Sequence, residues 1–264
     1  MRNTITSFLA SNLRRGRGSL AIARPHQPAK LLELYDMEGC PFCRPVREYL
    51  TELDLDVLIH PCPKKSTHNR EELEALGGKQ QMPYLYDPNT DIGLYEMKDI
   101  IAYLNSQYDT HQARRKPTAN IATSTFASFT RAMAGILHRP SVSPDAPLEL
   151  FSYEADPESR AVRERLTEME INYVLRNSGK QQARIKDKTT PKETRITKYH
   201  EMMQRTGKAQ LPYLYDPNTK TGTFNPPDII QYLINTYSPL KKSKASKENQ
   251  KPALQHVYDE ALKH

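Results

Sequence analysis

The sequence predicts an α/β protein made of two tandem copies of one unit, each running β-α-β-α-β-β-α. Two internal alignments and one offset predict it. LELYDMEGCPFCRPVREYLTELDLDVLIHPCPK (32–64) aligns without a gap on LELFSYEADPESRAVRERLTEMEINYVLRNSGK (148–180). QMPYLYDPNTDIGLYEMKDIIAYLNSQY (81–108) aligns on QLPYLYDPNTKTGTFNPPDIIQYLINTY (210–237). The offset grows from 116 to 129 residues, so the second copy carries about thirteen extra residues, assigned to the polar stretch GKQQARIKDKTTPKETR.

Each element has a local reason. The apolar stretch 31–37 reads as a buried strand. The cysteine motif then opens a helix, with Val46, Leu50 and Leu53 at helical spacing and Pro45 in the first turn, where a missing N–H costs little. DVLIH is a second strand. THNREELEALGG is a helix with Thr67 as N-cap and Gly77 as stop. PYLYDPNTDIGLYE is a hairpin turned at Asp87-Pro88-Asn89-Thr90. A helix from Lys98 to Tyr108 closes the unit, with Asp99, matched by Asp228, as its cap.

The expected domains follow: a basic, helical lead-in at 1–30, the first unit at 31–109, a linker with a second lead-in helix at 110–146, the second unit at 147–238, and a basic tail with a short helix at 239–264. The arginine-rich, acid-free start has the composition of an organellar targeting segment. Yet SFLASNLRRGRGSLAIARP has an echo in STFASFTRAMAGILHRP, with Ser11, Arg14 and Gly18 opposite Ser128, Arg131 and Gly135. A cleaved address has no reason to recur within the chain, so the expectation is a cytoplasmic protein.

Composition narrows the function classes. The 264 residues include 37% hydrophobic and 26% charged residues, which suits a globular chain. No apolar run approaches the roughly 20 residues of a membrane-spanning helix. The net charge of +7 lies largely at the two ends and reads as solvated surface, without a specific nucleic-acid partner. Three cysteines, Cys40, Cys43 and Cys62, are too few for a secreted disulfide framework and point to an active-site or metal set in a reducing compartment.

With C-P-F-C between the first strand and helix, QMPYLY about forty residues on, and Glu96 before the last helix, the unit resembles the thioredoxin-like fold in its glutaredoxin form and the N-terminal domain of glutathione transferases. The tandem arrangement is similar to proteins with two such N-terminal-type domains and no all-helical transferase domain. The resemblance implies glutathione as co-substrate. It implies that Pro83 is cis, that it turns the backbone of Met82 toward the cysteinyl part of glutathione, and that Glu96 holds the γ-glutamyl amino group. Met97 occupies the next place of that glutathione site, where the family commonly has Ser.

The cysteines also argue for themselves. A thiol at a helix N-terminus faces unpaired N–H groups that favour the thiolate. That makes Cys40 the nucleophile. Cys43, expected one turn into the helix, is the resolving thiol that attacks a mixed disulfide on Cys40. In the second copy Cys40, Cys43 and Glu96 become Asp156, Ser159 and Asn225, so that copy is read as non-catalytic: a dimer-like partner, a groove wall or a docking surface.

The expected function is a glutathione-dependent thiol-disulfide oxidoreductase acting through Cys40 on disulfides or glutathionylated proteins. The alternative is a non-enzymatic protein that binds glutathione, a cluster or a protein partner. A conjugating transferase would want the helical domain that shapes its electrophile site. No resident metal is expected, although Cys40, Cys43, His60 and Cys62, spaced C-x2-C-x16-H-x-C, offer a zinc-type ligand set to be checked. Cys62 by itself is a strand-end thiol or a glutathionylation site.

Overall fold

The computed structural model describes residues 17–21, 26–66, 68–109, 134–181 and 198–239. Thr67, most of both lead-in segments, most of the polar insertion and the tail helix lie outside them. In chain order the elements are β1 (Leu20–Ala21), β2 (Leu32–Asp36), α1 (Cys43–Glu52), β3 (Val57–Pro61), α2 (His68–Gly77), β4 (Tyr84–Asp87), β5 (Ile92–Tyr95) and α3 (Met97–Tyr108). There follow β6 (Leu148–Ser152), α4 (Pro157–Glu168), β7 (Tyr173–Asn177), β8 (Lys180–Gln181), α5 (Lys198–Thr206), β9 (Tyr213–Asp216), β10 (Thr221–Phe224) and α6 (Pro226–Tyr237). Among the described residues this gives an α/β fold of six helices on a mixed sheet.

Alternation along β2 sends Leu32 and Leu34 to one face and Tyr35 to the other, and each face is covered. α1, α3, α4 and α6 pack on the first face through Val46, Leu50, Ile100, Leu104, Val162, Leu166, Ile229 and Leu233. On the opposite face Leu73 of α2 meets Tyr35, Cys62 and Tyr84, and Met202 of α5 meets Phe151 and Tyr213. Both hairpins are tied the same way. Asp87 accepts from the Tyr103 and Tyr108 hydroxyls and Asp216 from those of Tyr232 and Tyr237, while Asn89 and Asn218 hold the chain entering β2 and β6 at Lys30 and Ala146.

Eight strands form one sheet in the order β10-β9-β6-β7-β3-β2-β4-β5. The two repeats meet where β3 pairs antiparallel with β7, in the register Val57 to Leu175, Leu58 to Val174 and Ile59 to Tyr173. Leu58 and Val174 are equivalent residues at the 116-residue offset, so a pseudo-two-fold axis passes through that pair. The large apolar core runs unbroken across the seam.

Short segments before each repeat are exchanged across this axis. Ala155 donates its N–H to Gly18 O at 3.1 Å, and Gly39 donates its N–H to Gly135 O at 3.3 Å. Lys180 N–H meets Ser19 O at 2.8 Å, and Lys64 N–H meets Ile136 O at 2.6 Å. Each segment thus lies on the other repeat. Gly18 and Gly135 have φ of +68 and +69, and a side chain there would press on Glu154 and Glu48 in one case and on Glu164 and Glu38 in the other.

Two expected helix boundaries and one expected cap shift. α3 begins at Met97 rather than Lys98, and its first-turn acid Asp99 sits in the favourable end of the helix dipole instead of forming the cap. Gly77 is the last residue of α2. The stop is Gly78, at φ +82, with its N–H on Glu74 O at 2.8 Å.

Candidate functional site

β2 ends at Asp36, and a short turn brings Cys40 back over the start of α1, with Cys40 N–H on Met37 O at 2.8 Å. Cys43 is the first regular residue of α1, not a residue one turn inside it as the sequence suggests. The reason is the Cys40-Pro41-Phe42 turn, which takes up the space of the first winding. The helical hydrogen bonding nonetheless starts at Cys40, whose carbonyl accepts from Arg44 N–H at 3.4 Å, as Asp156 accepts from Arg160 N–H at 3.2 Å.

That equivalence explains what the two positions do. In the second repeat Asp156 is a helix cap that accepts the Ser159 N–H at 2.9 Å and the Ser159 hydroxyl. In the first, Cys40 takes the place of Asp156, and Cys43 together with the backbone N–H groups of Cys43 and Phe42 favours its thiolate. The Cys43 thiol is the largest influence and lowers the Cys40 value. Burial opposes it, and the two N–H groups add to the lowering. Cys43 behaves oppositely. Burial pushes it well above the usual thiol range, and Cys40 and Asp36 push in the same direction. Cys40 is 7% exposed and Cys43 fully buried, while Phe42 between them is 45% exposed.

The remaining expected residues lie around the cis Met82-Pro83 bond and the start of α3. Met82 packs beside Tyr35, Tyr84 and Cys62. Glu96 is exposed, stands at φ +65, and accepts from Gln81 Nε2 at 2.6 Å. Asn225 repeats this at φ +62, with Gln210 Nε2 at 2.9 Å, and Leu211-Pro212 is cis too. These backbone features therefore belong to the fold in both repeats, and the carboxylate of Glu96 is what distinguishes the first. Met97 is 4% exposed and its side chain belongs to the main core. Its side chain is thus turned into the core, leaving the backbone as what it presents at the start of α3.

His60 and Cys62 are not brought to the cysteine pair as metal ligands. His60 stacks on Tyr35 with ring centroids 4.4 Å apart and shares a hydrogen bond of 2.9 Å with Glu33. The Cys62 thiol points at His60 O at 3.5 Å, is fully buried, and is pushed up by that burial, which leaves it neither exposed nor reactive enough for glutathionylation. Among the described residues no three His, Cys, Asp or Glu side chains converge to hold a metal.

What sequence reasoning missed is a buried charge cluster under the Cys40 turn. Arg47 Nη1 donates to both oxygens of Asp36 at 2.7 Å, and its Nε donates to Glu154 across the seam at 2.9 Å. Arg163 returns the contact, with its Nε on Glu38 at 3.1 Å. Arg44 and Arg160 flank these pairs. Burial alone would lower the Arg47 value, but Asp36, Glu154 and Glu38 raise it well above normal. Glu154 is held well below the carboxylate range by Arg47 and Arg163 against the pull of burial. Burial raises Asp36, with Arg47 opposing. The sequence signal was Arg44-x-x-Arg47 recurring as Arg160-x-x-Arg163 in a copy that had lost its cysteines.

The family model of the glutathione S-transferase N-terminal domain matches residues 34–113, the part of the chain that carries Cys40, the cis proline and Glu96. No curated protein matches. Three solved structures with similarity to part of the chain are glutathione transferases. One from Bombyx mori, in complex with GTT, is 21% identical with a TM-score of 0.30, over 36% of this chain and 44% of its own. A second Bombyx mori structure is 22% identical with a TM-score of 0.29, over 36% and 43%. A delta-class transferase of Nilaparvata lugens is 25% identical with a TM-score of 0.25, over 29% and 36%. The chain thus spans less than half the length of each. The α/β elements among the described residues of the family match, 34–109, form a thioredoxin-like, transferase N-terminal fold. Among the described residues no helix is long and apolar enough to cross a membrane.

Proposed function

We propose that the chain is a glutathione-dependent thiol-disulfide oxidoreductase of glutaredoxin type, with Cys40 as nucleophile and Cys43 as resolving thiol. The observation that carries this reading is Cys40 standing where Asp156 caps the equivalent helix, with its carbonyl accepting from Arg44 N–H as Asp156 accepts from Arg160 N–H, and with its thiol held below the ordinary range by Cys43 and the N–H groups of Cys43 and Phe42. A group held there is stabilised as an anion, whether carboxylate or thiolate. Glutathione is the co-substrate that the transferase-type match supports, with the Met82 backbone before cis Pro83 and the Glu96 carboxylate as its contacts.

In the first step the Cys40 thiolate attacks a disulfide or a glutathionylated protein thiol, forming a mixed disulfide and expelling the other sulfur as a thiolate. The bond is then broken by a second glutathione thiolate or by Cys43; in the latter case the two enzyme thiols are oxidised to a disulfide as the substrate disulfide is reduced. The two-copy organisation, 31–109 and 147–238, belongs to the same proposal, with the second copy supporting the first through the shared sheet. We place this chemistry in the cytoplasm, where thiols are kept reduced.

Incubation with oxidised glutathione tests the reading. Cys43→Ser is expected to accumulate a glutathione adduct on Cys40, and the wild type a Cys40–Cys43 disulfide. Failure of Cys40 to form either, with glutathione still bound, would move the assignment to a binding protein, the reading favoured by the low exposure of Cys40 and by the seating of residues 134–136 against Gly39.

A further inference from the structure

Residues 134–138, which lead into the second half, run between the cysteine turn and the end of β3. Gly135 O accepts from Gly39 N–H at 3.3 Å on one side, and Ile136 O accepts from Lys64 N–H at 2.6 Å on the other. Lys64 O accepts in turn from His138 N–H at 3.0 Å, which makes Leu137 the partner of Lys64 in a parallel bridge and sends the two side chains out on the same side. Leu137 is 43% exposed, and Phe42, between the two cysteines, stands out to a similar extent.

The surroundings are cationic. Lys64 and Lys65 are exposed, and no acid among the described residues pairs with either. Arg70 of α2 gives Nε to Pro63 O at 2.8 Å and Nη2 to Cys62 O at 2.9 Å, so a third charge is fixed at the end of β3 by carbonyls instead of a carboxylate. The acids of the adjoining second half are taken: Glu168 by Arg139 at 2.8 Å, and Glu170 by the Asn69 N–H at 2.8 Å. Glu71, in the first turn of α2, offsets part of the charge.

The second half keeps the frame but not this surface. Leu20 and Lys180 pair as Leu137 and Lys64 do, whereas Glu158, Gln181 and Tyr199 stand in the places of Phe42, Lys65 and Arg70. Each of these three differences makes the second half less positive. The apolar and cationic surface therefore accompanies the cysteines.

We propose that Phe42 and Leu137, with Lys64 and Lys65, form the docking surface for a protein substrate whose glutathionylated cysteine has an apolar neighbour and an acidic residue about three positions away. The proposal rests on the thiol-disulfide reading above. Residues 134–138 set Lys64 two strand spacings of about 4.8 Å from the cysteine turn, on the order of 10 Å, which extended peptide at about 3.3 Å per residue covers in three residues. Phe42 meets the apolar neighbour. The adjacent sulfur chemistry needs a thiol-bearing partner, so the acid is a protein carboxylate and not a nucleic-acid phosphate. The Cys40 thiolate attacks the glutathionyl sulfur, the partner cysteine leaves with the electron pair as a thiolate, and a glutathione thiolate then attacks the adduct to release oxidised glutathione and restore the Cys40 thiolate.

The test is deglutathionylation of short peptides by the full chain, coupled to glutathione reductase. Two peptides share a leucine beside the glutathionylated cysteine and differ only in carrying Glu or Lys three positions to either side. The Glu peptide is expected to have a kcat/KM about tenfold higher at low salt, with the ratio falling toward one at high salt. Lys64→Glu/Lys65→Asn, in which Asn suits the φ of +71 at position 65, should bring the ratio to one or below. Because the ratio is taken within each protein, a general loss of Cys40 reactivity cancels. Leu137→Ser should narrow the advantage of the leucine peptide over one with serine beside the cysteine. Equal rates for the Glu and Lys peptides in the wild type, a ratio indifferent to salt, or a wild-type ratio in the folded lysine variant overturns the proposal. So does turnover of a small glutathione mixed disulfide with none of any peptide. Absence of Cys40-dependent turnover of the small mixed disulfide as well overturns the thiol-disulfide reading and takes the proposal with it.

Discussion

Gly39→Ala probes the exchange of segments at the cysteine turn. Gly39 does not need a left-handed backbone, so alanine meets no conformational penalty there. The obstacle is packing. A Cβ would lie 2.4 Å from Ile136 Cγ1, 3.0 Å from Ile136 Cδ1 and 3.0 Å from Ala134 O, so residues 134–136 must lift away. Overpacking of this kind costs about 1–3 kcal/mol. Weakening the Gly39 to Gly135 hydrogen bond adds about 1 kcal/mol. For a chain of this size the sum of about 2–4 kcal/mol corresponds to a fall in melting temperature of roughly 4–16 °C. The second repeat supplies the rescue. Ala155 stands at the position of Gly39, and it packs against a segment that carries Ser19 where the other carries Ile136. Thermal unfolding followed by circular dichroism should therefore show Gly39→Ala destabilised and Gly39→Ala/Ile136→Ser largely restored. An unchanged melting temperature in the single variant, or no recovery in the double, would refute the packing argument.

Other outcomes follow from the electrostatics. Alkylation by iodoacetamide should modify Cys40 with an inflection below the ordinary thiol range while Cys43 and Cys62 stay silent, and Cys43→Ala, by removing the main stabiliser, should raise that inflection. Burial pulls Asp87 and Asp216 up, but the Tyr103, Tyr108, Tyr232 and Tyr237 hydroxyls bring both below the usual aspartate range. Their contribution to stability is thus present above the unfolded value and lost as pH falls through the lowered one, so Asp216→Asn should flatten the acid side of a stability-versus-pH curve. Arg163→Met leaves Glu38 short of its main partner in a buried site and should cost about 3–5 kcal/mol in urea unfolding, whereas a loss under 1 kcal/mol would mean that the cluster is better solvated than its burial implies.

How much of this was legible varied with the range of the interaction. Local signals worked: the PYLYDPNT hairpins, the helix opening at the cysteine motif and the turn at Asp87 all follow from residues a few positions apart. The junction of β3 with β7 was not legible, because a strand with apolar residues on both faces shows that it is central without showing which strand lies beside it. The exchanged segments were out of reach for the same reason, although the glycines that permit them, Gly18 and Gly135, stood out in the repeat. The burial of the Met97 side chain in the core is legible from its apolar character, whereas its place next to Glu96 follows from the motif. The buried arginines were hidden because a lone Arg normally signals surface; they become intelligible only once Glu38 and Glu154 are seen to cross the axis toward them.

The central claim is tested most directly by turnover: reduction of a glutathione mixed disulfide, coupled to glutathione reductase and NADPH, for wild type, Cys40→Ser and Cys43→Ser. Glutaredoxin-type chemistry predicts activity that vanishes with Cys40→Ser and largely persists with Cys43→Ser. Turnover no higher than the uncatalysed background in the folded wild type, with glutathione still bound, would contradict it and leave the chain a binding protein.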